Sequence, residues 1–147
     1  MKMLSKGFKL FQPWSIDVVK GKLNFLVRSI PVRFTGRVAV ISTNMIDRLW
    51  LQEVNYKELI KYERKIGAIG SVEIKGCIDI KISNLEDELI RIAGKKYWNY
   101  YPKYLIPSYN RTGFVYIWLL NKQKEWKIPK QVKGGGITWI NIHLEDE

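Results

Sequence analysis

Two side chains of this 147-residue sequence have the type and position that acid–base catalysis requires. Lys22 opens an apolar segment, and an amine becomes a base or nucleophile where desolvation lowers its pKa. Glu73 lies between Val72 and Ile74, where a carboxylate would serve as its acid–base partner. For both residues the alternative is a solvent-exposed side chain on a strand, and the sequence favours that alternative.

Metal and cofactor chemistry has few candidate ligands. Cys77 is the only cysteine, which excludes an internal disulfide and a cysteine-based zinc site. His143 is the only histidine, so a histidine-rich metal site is excluded, as is any Ser-His-Asp triad that does not use it. We therefore predict no metal and no cofactor.

Binding chemistry is better represented, because basic and hydroxyl side chains are concentrated near the N-terminus. Three arginines lie in and around one predicted strand and the turn after it, and guanidinium groups suit phosphate oxygens and base edges. Neighbouring lysines and hydroxyl groups add further donors. The predicted nucleic-acid contacts of this region are Lys20, Lys22, Arg28, Ser29, Arg33, Arg37 and Thr43.

A second binding candidate is the irregular segment 95–111, in which basic and aromatic residues are interleaved. Single-stranded nucleic acid suits this mixture, since cations follow the backbone while aromatic faces stack on bases. The alternative is that several of these rings fill one end of the hydrophobic core, and both interpretations stay open. The predicted contacts from this segment are Lys96, Tyr97, Trp98, Lys103 and Arg111.

The charge distribution favours a polyanionic partner. The chain has 25 Lys and Arg against 14 Asp and Glu, a net charge of +11. Residues 1–40 have a net charge of +7 and residues 94–133 one of +8, whereas residues 41–93 have −1. The two basic segments would form one phosphate-binding surface if the fold brings them together. The alternative is a solvated, lysine-rich surface typical of a thermophile.

The elements that must position these residues alternate between strands and short helices. Strands are predicted over 7–11, 23–30, 37–42, 67–82, 113–120 and 137–144, and helices after Pro13, over 45–65 and over 85–93. This order indicates one α+β domain over 1–147, a small mixed or antiparallel β-barrel with flanking helices. No apolar run reaches 18 residues and no secretory signal is evident, so we expect a cytoplasmic protein.

The N-terminal motifs resemble those of ASCH domains, a family of the PUA-like β-barrel superfamily. Gln12-Pro13-Trp14 resembles the start of the family's first helix, and Gly21 and Arg28 have its Gly-to-Arg spacing. Further similarities follow in the family's order at Gly36, Ser42-Thr43, 68–74, 116–118, 128–129 and 136–140. The resemblance implies a PUA-like barrel with a cleft beside the first helix, which adds Gln12 and Trp14 to the predicted nucleic-acid contacts.

The family's polar site pattern is only partly present. Some ASCH proteins resemble amidohydrolases that act on acetylated cytidine, and others are reported as ribonucleases. The lysine and glutamate of the family's pattern fall on Leu23 and Leu26, and the arginine of its turn falls on Thr35. Lys22 is one position early, and a one-residue slip on a strand points a side chain to the opposite face.

These observations predict a nucleic-acid-binding module in which a basic, aromatic-lined cleft holds RNA or another single-stranded nucleic acid. RNA is the favoured partner, single-stranded DNA is the second, and no membrane partner is expected. The alternative is an ASCH-type enzyme on RNA or modified nucleosides, a ribonuclease or an acetylcytidine amidohydrolase, that uses Lys22 with Glu73 or a tyrosine.

Overall fold

The computed structural model describes residues 2–107, 113–133 and 138–147. The strands of these ranges are β1 (Met3–Gln12), β2 (Phe25–Arg28), β3 (Gly36–Ile46), β4 (Gly67–Lys81), β5 (Phe114–Lys130) and β6 (Trp139–Glu145). The α-helices are α1 (Trp14–Val19), α2 (Arg48–Glu53), α3 (Tyr56–Lys61), α4 (Leu85–Ala93) and α5 (Lys95–Tyr100). None of these helices is both long and apolar enough to cross a bilayer.

The six strands form one mixed sheet in the order β2-β5-β4-β3-β1-β6. Strand β1 runs parallel to β3 and antiparallel to β6, and β2 runs antiparallel to β5. The α+β class is therefore confirmed. The sheet is not closed into the predicted barrel, because β2 and β6 each have one neighbouring strand in the described ranges. Strand β2 has only four residues, so it offers few backbone groups to a second partner.

The chain forms two compact units, and the first comprises Met1–Lys20, Arg37–Val72 and Gln123–Glu147. One group of buried side chains in its core is Leu4, Ala39, Ile41, Ala68, Trp126 and Ile140. At Gly70 an added Cβ would lie 2.1 Å from the carbonyl oxygen of Lys124 and 2.8 Å from a methyl group of Val19. Only glycine therefore allows β4 to approach β5 and α1 this closely.

The second unit comprises Gly21–Gly36 and Glu73–Lys122. Phe25 of β2 stacks on Tyr101 with the ring centroids 4.7 Å apart, and the Tyr101 hydroxyl accepts a hydrogen bond of 3.0 Å from the Val27 amide. Helix α4 ends at Gly94, whose φ of +96° suits glycine. Helix α5 follows at once, so the segment that we predicted to be irregular begins with a helix. Its buried Trp98 packs into the core of the unit and explains why this short segment is helical.

Candidate nucleic-acid interface

Arg28 differs from the other predicted contacts because its guanidinium is half-buried beside an aromatic ring. Its guanidinium carbon lies 5.2 Å from the centroid of the buried Trp118 ring. Burial lowers the pKa of the Arg28 guanidinium, and the neighbouring Tyr101 phenol acts in the opposite direction. Throughout the described part of the chain, no carboxylate lies within 4.0 Å of this guanidinium. Arg28 is therefore a half-buried cation that faces aromatic rings, and an anion beside it would offset the cost of its desolvation.

A polar pocket of about 410 Å³ lies in the same unit. Its walls are formed by Pro31, Val32, Arg33, Cys77, Asp79 and Tyr116. Tyr116 is directly opposite Arg28 in the β2–β5 register, and directly opposed residues of an antiparallel pair share one face. Arg28 is therefore on the face to which the tyrosine of the pocket belongs. The volume falls within the range of small-molecule sites, about 300 to 1,000 Å³.

Two charged side chains of the pocket shift the pKa of the Cys77 thiol in opposite directions. Burial raises the pKa of the half-buried Cys77, and a hydrogen bond from the Val32 backbone lowers it. The Asp79 carboxylate raises the same pKa and the Arg33 guanidinium lowers it, and both side chains line the pocket together with Cys77. Within the described ranges, no ion pair joins Arg33 to Asp79. The pocket thus presents separate donor and acceptor groups.

The segment after α4 divides into structural and exposed side chains. Trp98 is buried and donates a hydrogen bond of 3.1 Å from its indole to Glu86. The Lys103 ammonium lies 4.1 Å from the centroid of the Trp98 ring and donates to the carbonyl oxygens of Trp98 and Tyr101. Lys96 is exposed on α5 and Tyr97 is half-buried, whereas the predicted contact Arg111 lies outside the described residues.

In the first unit, Arg37 belongs to a part-buried network of hydrogen bonds. Its guanidinium donates a hydrogen bond of 2.7 Å to the Ser71 hydroxyl and lies 3.6 Å from the Asp146 carboxylate. The Ser71 hydroxyl and the Trp126 indole also donate to Asp146, at 2.7 and 3.0 Å. Burial raises the pKa of Asp146, but these two hydrogen bonds together with Lys124 and Arg37 hold it below its ordinary value.

Gln12 and Trp14 are likewise engaged inside the first unit. The buried Gln12 amide donates a hydrogen bond of 2.7 Å to the carbonyl oxygen of Thr43 and accepts one of 2.5 Å from the Tyr62 hydroxyl. Burial raises the pKa of Tyr62 to about 12, so its phenol keeps the proton that it donates. The Trp14 indole donates at 2.7 Å to Asp47, the residue that caps α2. These side chains hold α1 and α2 in place.

The predicted catalytic pair is not joined by a described contact. Lys22 is exposed, and the Glu73 carboxylate lies 3.5 Å from the ammonium of Lys122. Leu23 and Leu26 are fully buried, so two positions at which the ASCH pattern has polar residues belong to the core of the second unit. The catalytic role of Lys22 and Glu73 stays a prediction.

Apart from the half-buried Thr43, whose hydroxyl accepts a hydrogen bond of 3.3 Å from the Met45 amide, the remaining predicted contacts are on the surface. Ser29 and Arg33 are exposed in the second unit. Lys20 is exposed in the first unit, where its ammonium lies 3.8 Å from the Glu125 carboxylate. Ion pairs of this kind are weak because water screens them, so Lys20 keeps the ability to meet another anion.

The sequence did not identify the Asp79 carboxylate or the Tyr116 ring as parts of a site. Cys77 and Asp79 are two apart on β4, and this spacing alone would have assigned them to one face. Nothing in the sequence indicates that Tyr116, nearly 40 residues later, lies on the same pocket. In the described ranges, no group of three or more His, Cys, Asp or Glu residues could hold a metal ion.

Comparison with known proteins establishes the fold. No protein-family model matches the sequence, and no curated protein matches it either. A serine-to-alanine variant of the ASCH protein from Zymomonas mobilis is similar in structure, with a TM-score of 0.56 and 12% identity over 93% of this chain and 87% of that one. The ASCH structure from the same organism matches with a TM-score of 0.49 and 15% identity over 82% of this chain and 68% of that one. The similarity to the serine-to-alanine variant confirms the predicted ASCH fold.

Proposed function

We propose that this protein is a nucleic-acid-binding module whose second unit binds single-stranded nucleic acid, with RNA preferred. The observation that carries the proposal is Arg28, a half-buried guanidinium with no carboxylate within 4.0 Å in the described part of the chain. Buried charges in proteins are normally paired, so this cation is suited to an anion from outside the chain. A phosphate of the nucleic-acid backbone supplies that anion and accepts from the guanidinium fork.

The rest of the second unit supports the same partner. Its sequence has eleven Lys and Arg residues against five Asp and Glu, and Lys22, Arg33 and Lys96 are exposed on it. The pocket beside Tyr116 offers an aromatic ring and polar groups to a base that has left its stack. Arg28 would bind a phosphate, the lysines would contribute charge along the strand, and the pocket would hold one base.

The proposal uses fewer residues than the sequence suggested. Arg37, Trp98 and Lys103 have internal partners that account for their positions, as do Gln12 and Trp14. Arg28, Arg33 and Lys96 are the contacts on which we base the proposed function. All three belong to the second unit.

The test is fluorescence anisotropy with short labelled oligomers of single-stranded RNA, single-stranded DNA and duplex DNA, each over a salt series. We expect the single strands to bind more tightly than the duplex and the affinity to fall steeply with salt, because binding releases counterions. Equal affinity for duplex and single strands, or no binding at low salt, would contradict the proposal.

Two variants and a gel make that test specific. Arg28→Met keeps the aliphatic stem and removes the charge, whereas Arg48→Ala removes an exposed arginine of the first unit as a matched control. We expect only Arg28→Met to weaken binding by tenfold or more. Oligomers from the same samples are run on a gel, and cleaved RNA would support the alternative of an ASCH-type ribonuclease.

A further inference from the structure

We infer that the polar pocket of the second unit is a guanine-binding site in which Asp79 accepts from the Watson–Crick edge and Arg33 donates to the opposite edge of the base. The inference rests on the proposed function and adds a base preference to it. The pocket is formed within one unit by the loop after β2 together with β4 and β5.

Asp79 determines which base fits best. An ionised carboxylate has two oxygens and only accepts hydrogen bonds. Guanine presents two adjacent donors on its Watson–Crick edge, the ring N1–H and the exocyclic amine, which match the two oxygens. Adenine, cytosine and uracil each present one donor group on that edge. The carboxylate therefore makes two hydrogen bonds to guanine where the other bases allow it one.

Arg33 supplies the complementary contact. Its guanidinium is exposed at the pocket and is not paired with Asp79 within 4.0 Å in the described ranges. Arginine commonly binds the O6 and N7 acceptors of guanine with two parallel hydrogen bonds. Because Arg33 and Asp79 both line this pocket, one planar base in it can meet both groups.

The remaining walls suit a purine ring attached to a phosphate. Pro31 and Val32 give the pocket an apolar side, and Tyr116 offers a ring on which a base can stack. Arg28 lies directly opposite Tyr116 in the β2–β5 register, so the two side chains are on the same face of the sheet. A phosphate joined to a base stacked on Tyr116 would therefore be on the side of the Arg28 cation.

The experiment compares short uridine oligomers of RNA whose central base is guanine, hypoxanthine, adenine, cytosine or uracil. Anisotropy is measured for the full chain and for Asp79→Asn, with Asp87→Asn as the control because Asp87 is an exposed acid of the same unit. Removing an acid should strengthen binding of any polyanion by lessening repulsion. The guanine site predicts the opposite for one oligomer, because Asp79→Asn should weaken binding of the guanine oligomer. General electrostatics does not predict such a loss.

We expect the guanine oligomer to bind about tenfold more tightly than the others, a typical discrimination for a bidentate base contact. The hypoxanthine oligomer lacks the exocyclic amine and should lose most of that preference. Asp79→Asn should weaken binding of the guanine oligomer alone, and Asp87→Asn should strengthen all five slightly. If the five oligomers bind equally and Asp79→Asn strengthens all of them, the guanine site is wrong while nucleic-acid binding stands. If none binds at low salt, the proposed function itself is wrong.

Discussion

Arg37 of β3 and Arg28 of β2 are two arginines with opposite surroundings. The Arg37 guanidinium donates to Ser71 and lies 3.6 Å from the carboxylate of Asp146. The Arg28 guanidinium faces Trp118 and has no carboxylate within 4.0 Å in the part of the chain that the structure describes. One cation is matched by an internal acid, and the other is not.

The difference separates an arginine that stabilises the fold from one that is suited to a ligand. A buried ion pair contributes little net stability, but removing one partner leaves a desolvated charge and is costly. Arg37 therefore depends on Asp146, and we expect its loss to be expressed as unfolding. The half-buried charge of Arg28 is retained without such a partner, and we expect its loss to be expressed in binding.

The largest effect should come from Asp146→Ala. The change leaves the Arg37 guanidinium, the Ser71 hydroxyl and the Trp126 indole without their shared acceptor. We expect the free energy of unfolding to fall by about 2 kcal/mol, because part-buried donors lose their acceptor. Urea denaturation of the parent and the variant measures this loss of unfolding free energy. A loss below about 1 kcal/mol, or a specific loss of RNA affinity in the folded variant, would contradict the structural role of this network.

Arg28→Met should weaken RNA binding by tenfold or more, equivalent to at least about 1.4 kcal/mol. Its free energy of unfolding should stay within about 1 kcal/mol of the parent, because the methionine keeps the apolar contact with Trp118. Anisotropy and urea denaturation are measured on the same preparation. If Arg37→Met, at a temperature where it is folded, weakens binding as much, the contrast between the two arginines does not hold.

The Asp146 network should also make stability depend on pH. The pKa of Asp146 is held below its ordinary value of 3.8 in the folded protein, so the carboxylate stabilises the fold fully above that value. The stabilisation is lost as the pH falls through the lowered pKa. The difference in unfolding free energy between the parent and Asp146→Asn should therefore be the same at pH 7 and pH 5 and become smaller as the pH falls through 3.8 to pH 3. A difference that stays constant over this range would contradict the lowered pKa.

Lys96→Ala should have the smallest effect. Lys96 is exposed on α5, so its truncation removes one phosphate contact without disturbing the core. We expect affinity for single-stranded RNA to fall roughly threefold, and the slope of log affinity against log salt to decrease by about 0.7. Lys57→Ala, an exposed lysine of α3, is the control and should leave the slope unchanged. A similar change in both variants would mean that the charge acts over the whole surface.

Much of the fold was predictable because it is encoded locally. The alternation in 67–82 predicted β4, and Gly94 marked the end of α4 as expected. Helix α5 was missed because its helical state depends on the burial of Trp98, which the sequence of the segment does not show. The sequence also did not predict that the sheet is open, because strand pairing depends on both partner strands and not on the sequence of either one.

The candidate site was predictable in its residue types and not in their partners. The sequence identified Arg28 and Arg37 as equivalent, because spacing says nothing of the Asp146 carboxylate at the far end of the chain. Lys103 was expected to meet phosphate, yet its ammonium donates to the Tyr101 carbonyl. Asp79 was overlooked because an acid in a basic protein suggests solvent and not a base-binding group.

The most direct test of the contrast between the two arginines is NMR of the arginine side-chain Nε–Hε groups during a titration with single-stranded RNA. Signals are assigned from Arg28→Met, Arg33→Lys and Arg37→Lys. We predict that the Arg28 and Arg33 signals shift on binding while that of Arg37 keeps its position beside Asp146. A shift of the Arg37 signal with those of Arg28 and Arg33 unchanged would contradict the account.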